Sequence, residues 1–258
     1  MHYERGGSFM KVAFFPGCMV DMLYPEIGVA AVHVLERLGC DVEMPDEQIC
    51  CGQMLLNSGY TKELVPVAER IIDSYYHMDY DYIVSLTGSC MSAIIDDYPL
   101  VIDDPDYKAK LDAISLRSKL KEFTEFIVDT LGVTDLGASF HHTVTYHKSC
   151  HVSRFLGVED QPLQLLNAVD GLEYIEMDHA GRCCGFGGTF SIKEPEISGA
   201  IVEEKCQTAI DTGAEVLAGG DVPCLTNIKG ALQRMRSEGK LDRDIRVMHI
   251  AEILDARE

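Results

Sequence analysis

The chain has 258 residues, ten cysteines and a formal net charge of -20. The balance of 42 acidic against 22 basic residues argues against a nucleic-acid binder or a protein held on anionic membranes. Apolar residues at 47% and charged residues at 25% describe a globular chain, long enough to bury a core without disulfide staples.

Residues 1–10, MHYERGGSFM, have no apolar core and so do not form a secretory signal; they read as an extension ahead of the first strand. Lys11 to Phe15 is a short apolar strand that ends at Pro16-Gly17. Glu26 to Leu38 reads as a helix with Gly39 as its stop signal. Asp41 to Met44 is a strand closed by Pro45, and Lys62 to Ser74 is a helix that tolerates Pro66 in its first turns. Tyr82 to Leu86 is the third strand, followed by Thr87-Gly88-Ser89. Across Ile114 to Leu131, Leu116, Leu120, Phe123, Ile127 and Leu131 fall at helical spacing, with Lys and Glu on the other face. This stretch is expected to be a buried connecting helix, the alternative being a docking helix for a partner. The pattern then resumes: strand Thr143–Tyr146, helix Leu163–Val169, strand Leu172–Met177, helix Ile197–Asp211 and strand Glu215–Leu217. No stretch reaches the roughly 18 apolar residues of a membrane helix. Without a signal or span, the expected compartment is the cytoplasm.

The cysteines carry a repeat. Cys18, Cys50, Cys51 and Cys90 are separated by steps of 32, 1 and 39, and Cys150, Cys183, Cys184 and Cys224 by steps of 33, 1 and 40. Both pairs run into glycine, at Gly52 and Gly185. VAFFPGC (12–18) aligns with VTYHKSC (144–150), and DYIVSLTGSCMSAI (81–94) with AEVLAGGDVPCLTNI (214–228). A four-point match with matching flanks is a duplication. Alternating strands and helices favour parallel sheets with right-handed crossovers. The expected fold is therefore α/β: two tandem Rossmann-like three-layer repeats related by a pseudo-two-fold duplication. The expected organisation is a first repeat at 10–95, a connecting helical segment at 96–142 and a second repeat at 143–258.

Each patterned cysteine lies just past a strand, at the sheet edge where α/β proteins build sites. Two similar four-thiol sites, one per repeat, are the expectation. Ten cysteines exceed the roughly four of average usage, and in a reducing compartment they point to metal or redox chemistry before disulfides. Cys40 and Cys206 have no counterparts and read as packing residues. Four thiolates match zinc or an iron–sulfur cluster. Short CxxC hooks, the usual zinc device, are missing, and adjacent cysteines diverge, which suits a multinuclear cluster better than one ion. Gly52 and Gly185 would let backbone pass close to sulfides, and Phe186, Gly187 and Gly188 extend that loop. His147 and His151 flank Cys150 and, with His179, read as polar loop residues or donors to sulfur, one of them alternatively a cluster ligand or proton acceptor. Arg182 and Lys148 are candidates to hold a substrate carboxylate or to screen charge. The G-x-G-G run at 185–188 does not follow a strand into a helix, so it is no dinucleotide fingerprint.

These motifs are similar to the cysteine-rich CCG-domain family, to which the cysteine-rich subunit of heterodisulfide reductase belongs. Relatives include the iron–sulfur subunits of glycolate oxidase and of anaerobic glycerol-3-phosphate dehydrogenase. Within the family, CMVDMLYPEIG (18–28), VLERLGCDVE (34–43), CCGQ (50–53), YHKSCH (146–151) and CCGFGGTFSIK (183–193) resemble the lactate-utilization branch, over about residues 10–255. The resemblance implies an iron–sulfur electron-transfer subunit of a cytoplasmic system that oxidises L-lactate to pyruvate. It would work with a second iron–sulfur protein and a third small subunit, and would not be active alone. The alternatives are an iron–sulfur subunit for glycolate or another substrate in a heterodisulfide-reductase-like system, and a zinc-stabilised scaffold without redox function. The implied ligands are Cys18, Cys50, Cys51, Cys90, Cys150, Cys183, Cys184 and Cys224, holding one or two clusters of 4Fe-4S type. Ala93 and Asn227 stand where heterodisulfide reductase has the last cysteines of its motifs. Each site here thus has four thiols rather than five, and a noncubane cluster is not implied.

Overall fold

The structure is a computed structural model that describes residues 9–114 and 118–258. The expectations for residues 1–8 and for Leu116 lie outside the described residues. Strands β1 (Met10–Phe15), β2 (Cys40–Glu43), β3 (Tyr82–Ser85) and β4 (Leu120–Glu122) form a parallel sheet in the order β2-β1-β3-β4. Strands β5 (Thr143–His147), β6 (Glu173–Tyr174), β7 (Val216–Gly219) and β8 (Arg246–His249) form a second parallel sheet in the matching order β6-β5-β7-β8. The registers correspond too: Val12 lies opposite Val42 and Tyr82, and Val144 opposite Tyr174 and Val216.

Thirteen α-helical segments join and flank the strands among the described residues. In the first half they are α1 (Cys18–Leu23), α2 (Pro25–Arg37), α3 (Gln53–Asn57), α4 (Thr61–Tyr76), α5 (Gly88–Ser92), α6 (Tyr98–Val101), α7 (Pro105–Ile114) and α8 (Phe123–Glu125). The second half carries α9 (Gln161–Asn167), α10 (Phe190–Lys193), α11 (Pro195–Asp211), α12 (Val222–Ser237) and α13 (Ile250–Asp255). Wide π-helical turns at Ala93–Asp97 and Phe126–Thr130 extend α5 and α8, and a third, His151–Phe155, follows β5. Among the described residues, no helix is long and apolar enough to cross a membrane.

The period-2 alternation of the strands builds three cores. Val12 and Phe14 of β1, Val84 of β3, Val144 and Tyr146 of β5, and Val216 and Ala218 of β7 share one core, together with residues of α2, α9 and α13. The facing sides of the two halves are therefore packed into each other, with Cys40 buried there as expected of a packing residue. Ala13, Phe15 and Ile83 point the other way, into a core under α4, α5 and α7. Leu217 does the same in the second half, into a core under α11 and α12 that buries Cys206.

The segment expected to be a connecting helix differs. Leu120 lies in β4, which pairs with β3 and completes the first sheet, and the helical turns begin only at Phe123. Glu122 causes the switch: its carboxylate accepts from the Thr124 and Glu125 amides and caps the new helix. Each sheet thus has four strands rather than three. In the second half the strand expected over Leu172–Met177 shrinks to Glu173–Tyr174.

Candidate metal centre

In both sheets the chain goes from the first strand to one neighbour and then returns to the other side. The carboxyl ends of β1 and β3, and of β5 and β7, are therefore topological switch points, where an open α/β sheet leaves a crevice. Gly17 turns the chain after β1 with φ 83°, and Cys18 starts α1. Cys50 and Cys51 lie in the loop after β2, and Cys90 sits in α5 just after β3. In the second half Cys150 follows β5, Cys183 and Cys184 lie in the loop after β6, and Cys224 sits in the first turn of α12 after β7.

All eight cysteines line one cavity of about 160 Å³. The two thiol sets form two walls of this shared space. The cavity is about tenfold larger than the roughly 10–15 Å³ a single water-sized occupant needs. Met54 and Asn57 of α3, with Phe186, Gly187 and Gly188, close the same space. The segments behind these residues are tied by a hydrogen bond of 2.6 Å between the Ser58 and Thr189 hydroxyls.

Within each wall the thiols touch. Cys51 Sγ donates to Cys90 Sγ at 3.1 Å, and Cys184 Sγ to Cys224 Sγ at 2.9 Å. All ten cysteines are free thiols. Contact with Cys50 and Cys90, then burial, pushes the Cys51 thiol well up, and contact with Cys50 followed by burial does the same to Cys18. Cys50 moves the other way because Cys18 and Cys51 both donate to it. Burial, then the neighbouring Cys183, raises Cys150. Crowded thiols of this kind resist losing protons together, and a bound cation is what lets them ionise as a set.

Polar groups that look unremarkable in sequence are buried around the thiols. Asp221 precedes α12 but does not cap it. Its carboxylate turns instead to the Ser89 hydroxyl at 3.1 Å, in the other half of the chain, and to the Ser149 hydroxyl at 3.3 Å. Cys224 Sγ lies 3.7 Å from it. Lys205 is fully buried and donates to the carbonyls of His179 at 3.0 Å and Ala180 at 2.8 Å. Burial lowers its pKa to about 8, against the attraction of Cys184 and Cys224. His147 is 1% exposed, and neither ring nitrogen makes a hydrogen bond of normal geometry. Burial drives its pKa down to about 3, with Lys205 adding to the effect, although the Ala180 carbonyl favours the charged form. The ring is therefore a neutral base with lone-pair density to offer. One donor atom each from His147, Cys184 and Cys224 lie within 4.8 Å of one another.

The remaining candidates divide. His151 lines the cavity with Nδ1 3.6 Å from Cys150 Sγ, and its ring stacks on Phe155 at 5.1 Å. Exposed His179 adopts φ 53° and offers its carbonyl to Lys205. Arg182 pairs with Glu204, and Lys148 lies 3.9 Å from Glu176, so both cations are engaged by carboxylates of this chain. Gly52 and Gly185 both have φ 77°. The room a Cβ would take is filled by Leu64 at Gly52 and by the Ser198 carbonyl at Gly185, so helices α4 and α11 packed behind the loops need these glycines. At the positions that lack a cysteine, Ala93 is fully buried, and Asn227 Nδ2 donates to the Cys184 carbonyl at 2.8 Å. Tyr98 does the corresponding job in the first half, donating its hydroxyl to the Cys51 carbonyl at 2.7 Å.

The donor set fits a thiophilic metal centre. Thiolates suit zinc and iron–sulfur clusters, imidazole suits zinc and iron, and the buried Lys205 ammonium offsets anionic charge beside the second wall.

A family profile described as Cysteine-rich domain (CCG) matches residues 12–95 and again 144–229. "Lactate utilization protein A" of Bacillus subtilis (strain 168) is 46% identical over 249 residues, covering 96% of this chain and 100% of that protein. The protein of the same name from Oceanobacillus iheyensis is 47% identical over 247 residues, covering 95% of this chain and 97% of that protein. Among solved structures, a hypothetical protein from Helicobacter pylori superposes with a TM-score of 0.64 at 11% identity, over 98% of this chain. This chain spans about half of that structure, 51% of its length, and at that identity the likeness concerns the fold alone.

Proposed function

From the premise that this chain belongs to the cysteine-rich CCG-domain family and, within it, to the lactate utilization A proteins, we propose that it is an iron–sulfur electron-transfer subunit of a cytoplasmic system that oxidises L-lactate to pyruvate. The observation that carries this reading is the convergence of eight thiols from two repeats on one cavity. Cys18, Cys50, Cys51 and Cys90 hold one centre, and Cys150, Cys183, Cys184 and Cys224 hold a second. Clusters of 4Fe-4S type bound there supply one-electron transfer. The chain's own residues set the conditions: Lys205 places a buried positive charge beside Cys184 and Cys224, and Asp221 with Ser89 and Ser149 ties the two walls together. Lactate oxidation releases two electrons, which two adjacent one-electron centres can take in turn. A second iron–sulfur protein and a third small subunit complete the system, so the chain alone does not turn over lactate.

Anaerobic reconstitution with ferrous iron and sulfide tests this. The expected product is brown, contains iron and acid-labile sulfide, and gives an EPR signal on reduction. With the two partner proteins added, lactate reduces the centres. Stoichiometric zinc without iron sinks the redox reading, and reduction by glycolate but not lactate moves the substrate.

A further inference from the structure

We propose that His147 supplies a nitrogen ligand to the iron centre of the second repeat, beside Cys184 and Cys224, so that the two centres of this chain are chemically different. The inference rests on the iron–sulfur reading above.

His147 ends β5, where pairing with Gly219 of β7 fixes the backbone. Its side chain is more than nine-tenths buried, and neither ring nitrogen makes a hydrogen bond of normal geometry, the Ala180 carbonyl being only a poorly aligned neighbour. A buried polar group without a partner is expensive, and a metal is a partner that the protein atoms do not provide. The donor atoms of His147, Cys184 and Cys224 lie within 4.8 Å of one another, close enough to share one centre.

The duplication supplies an internal control. Phe15 occupies the matching place in the first repeat, two strands of one pattern giving VAFFPGC and VTYHKSC. Phe15 is buried among apolar side chains and meets the Tyr75 ring at 5.6 Å. The fold at this position therefore accepts a plain aromatic ring, and the imidazole is not needed for packing. Asn227, at the position of the missing cysteine, turns its amide nitrogen to the Cys184 carbonyl and so braces the ligand loop. Imidazole is neutral where thiolate is anionic, so ligation by His147 raises the potential of the second centre above that of the first.

The test uses the full chain labelled with ¹⁵N-histidine, reconstituted anaerobically, reduced, and examined by electron–nuclear double resonance. The expected result is a strongly coupled histidine nitrogen on part of the spin population. In H147F the coupling is lost and one midpoint potential shifts negative, while the other stays. Iron-loaded protein with no strongly coupled histidine nitrogen overturns the inference and leaves the iron–sulfur reading standing. Coupling that persists in H147F assigns it to another histidine and overturns it equally. Wild-type protein that takes up zinc and no iron overturns the reading beneath it. The nitrogen measurement on the wild type stands even if H147F folds poorly.

Discussion

Ser89, the residue before Cys90, donates its hydroxyl at 3.1 Å to Asp221, three residues before Cys224. One buried hydrogen bond thus sets the distance between the third cysteine strand-end of one repeat and that of the other. Asp221→Ala leaves the Ser89 and Ser149 hydroxyls without their acceptor. The expected cost is about 2–4 kcal/mol of unfolding free energy in the metal-free chain, read from urea denaturation. Asp221→Asn, which keeps one acceptor oxygen, loses less.

The patterned and unpatterned cysteines separate on metal content. Cys90→Ala and Cys224→Ala are each expected to remove about half of the iron, because each opens one wall. Cys40→Ala and Cys206→Ala lie in apolar cores away from the cavity and keep the full complement. Iron and sulfide analysis after anaerobic reconstitution decides this, and equal losses from all four variants refute the division.

Gly185→Ala is expected to be more damaging than Gly52→Ala. Both residues share the left-handed φ of 77°, so the backbone strain is similar. The obstacles differ: a Cβ at Gly185 stands 2.8 Å from the Ser198 carbonyl of α11, whereas at Gly52 it meets the end of the Leu64 side chain. Side chains rotate away and helix backbone does not. Thermal melting should place the Gly185 variant lower by a difference of about 1–2 kcal/mol.

His249 gives the fold a pH dependence of known sign. Its Nε2 donates to the Leu86 carbonyl across the two halves at 3.2 Å, and its Nδ1 accepts from the Ala251 amide at 3.2 Å. Burial lowers its pKa to about 4 from an ordinary 6.5, so the folded protein favours the neutral ring. The associated stability is fully present above pH 6.5. It is lost as pH falls towards 4, because there the unfolded chain binds the extra proton. The size is about 3 kcal/mol. Denaturation midpoints of the metal-free protein between pH 7 and 4 measure the slope, and His249→Gln should reduce it, leaving the share that buried His147 contributes with the same sign; an unchanged slope removes His249 as a source.

The repeat was legible because cysteine spacing survives where other residues diverge, and the sheet-edge placement followed from strand–helix alternation alone. The fourth strands were not. Leu120–Glu122 is three residues long, and Leu120 keeps helical spacing with Phe123 and Ile127, so periodicity joined it to the helix that follows. Asp221 was hidden for a different reason. An Asp before Val-Pro stands at a helix N-terminus, and its carboxylate is turned from that end by Ser89 of the other repeat and Ser149 of its own. Lys205, in the middle of α11, carries the sequence signature of a solvated residue; its burial comes from the loop after β6 folding over it. His147 left a trace in the alignment with Phe15, where a polar residue replaces an aromatic one at a core position.

The single cavity has a consequence for inheritance. Two copies of one unit ordinarily remain modular, so that either can be exchanged or lost. Here each copy finishes its neighbour: Ser89 needs Asp221, Leu86 needs His249, and each thiol wall faces the other. The chain is duplicated in its text but indivisible in its construction.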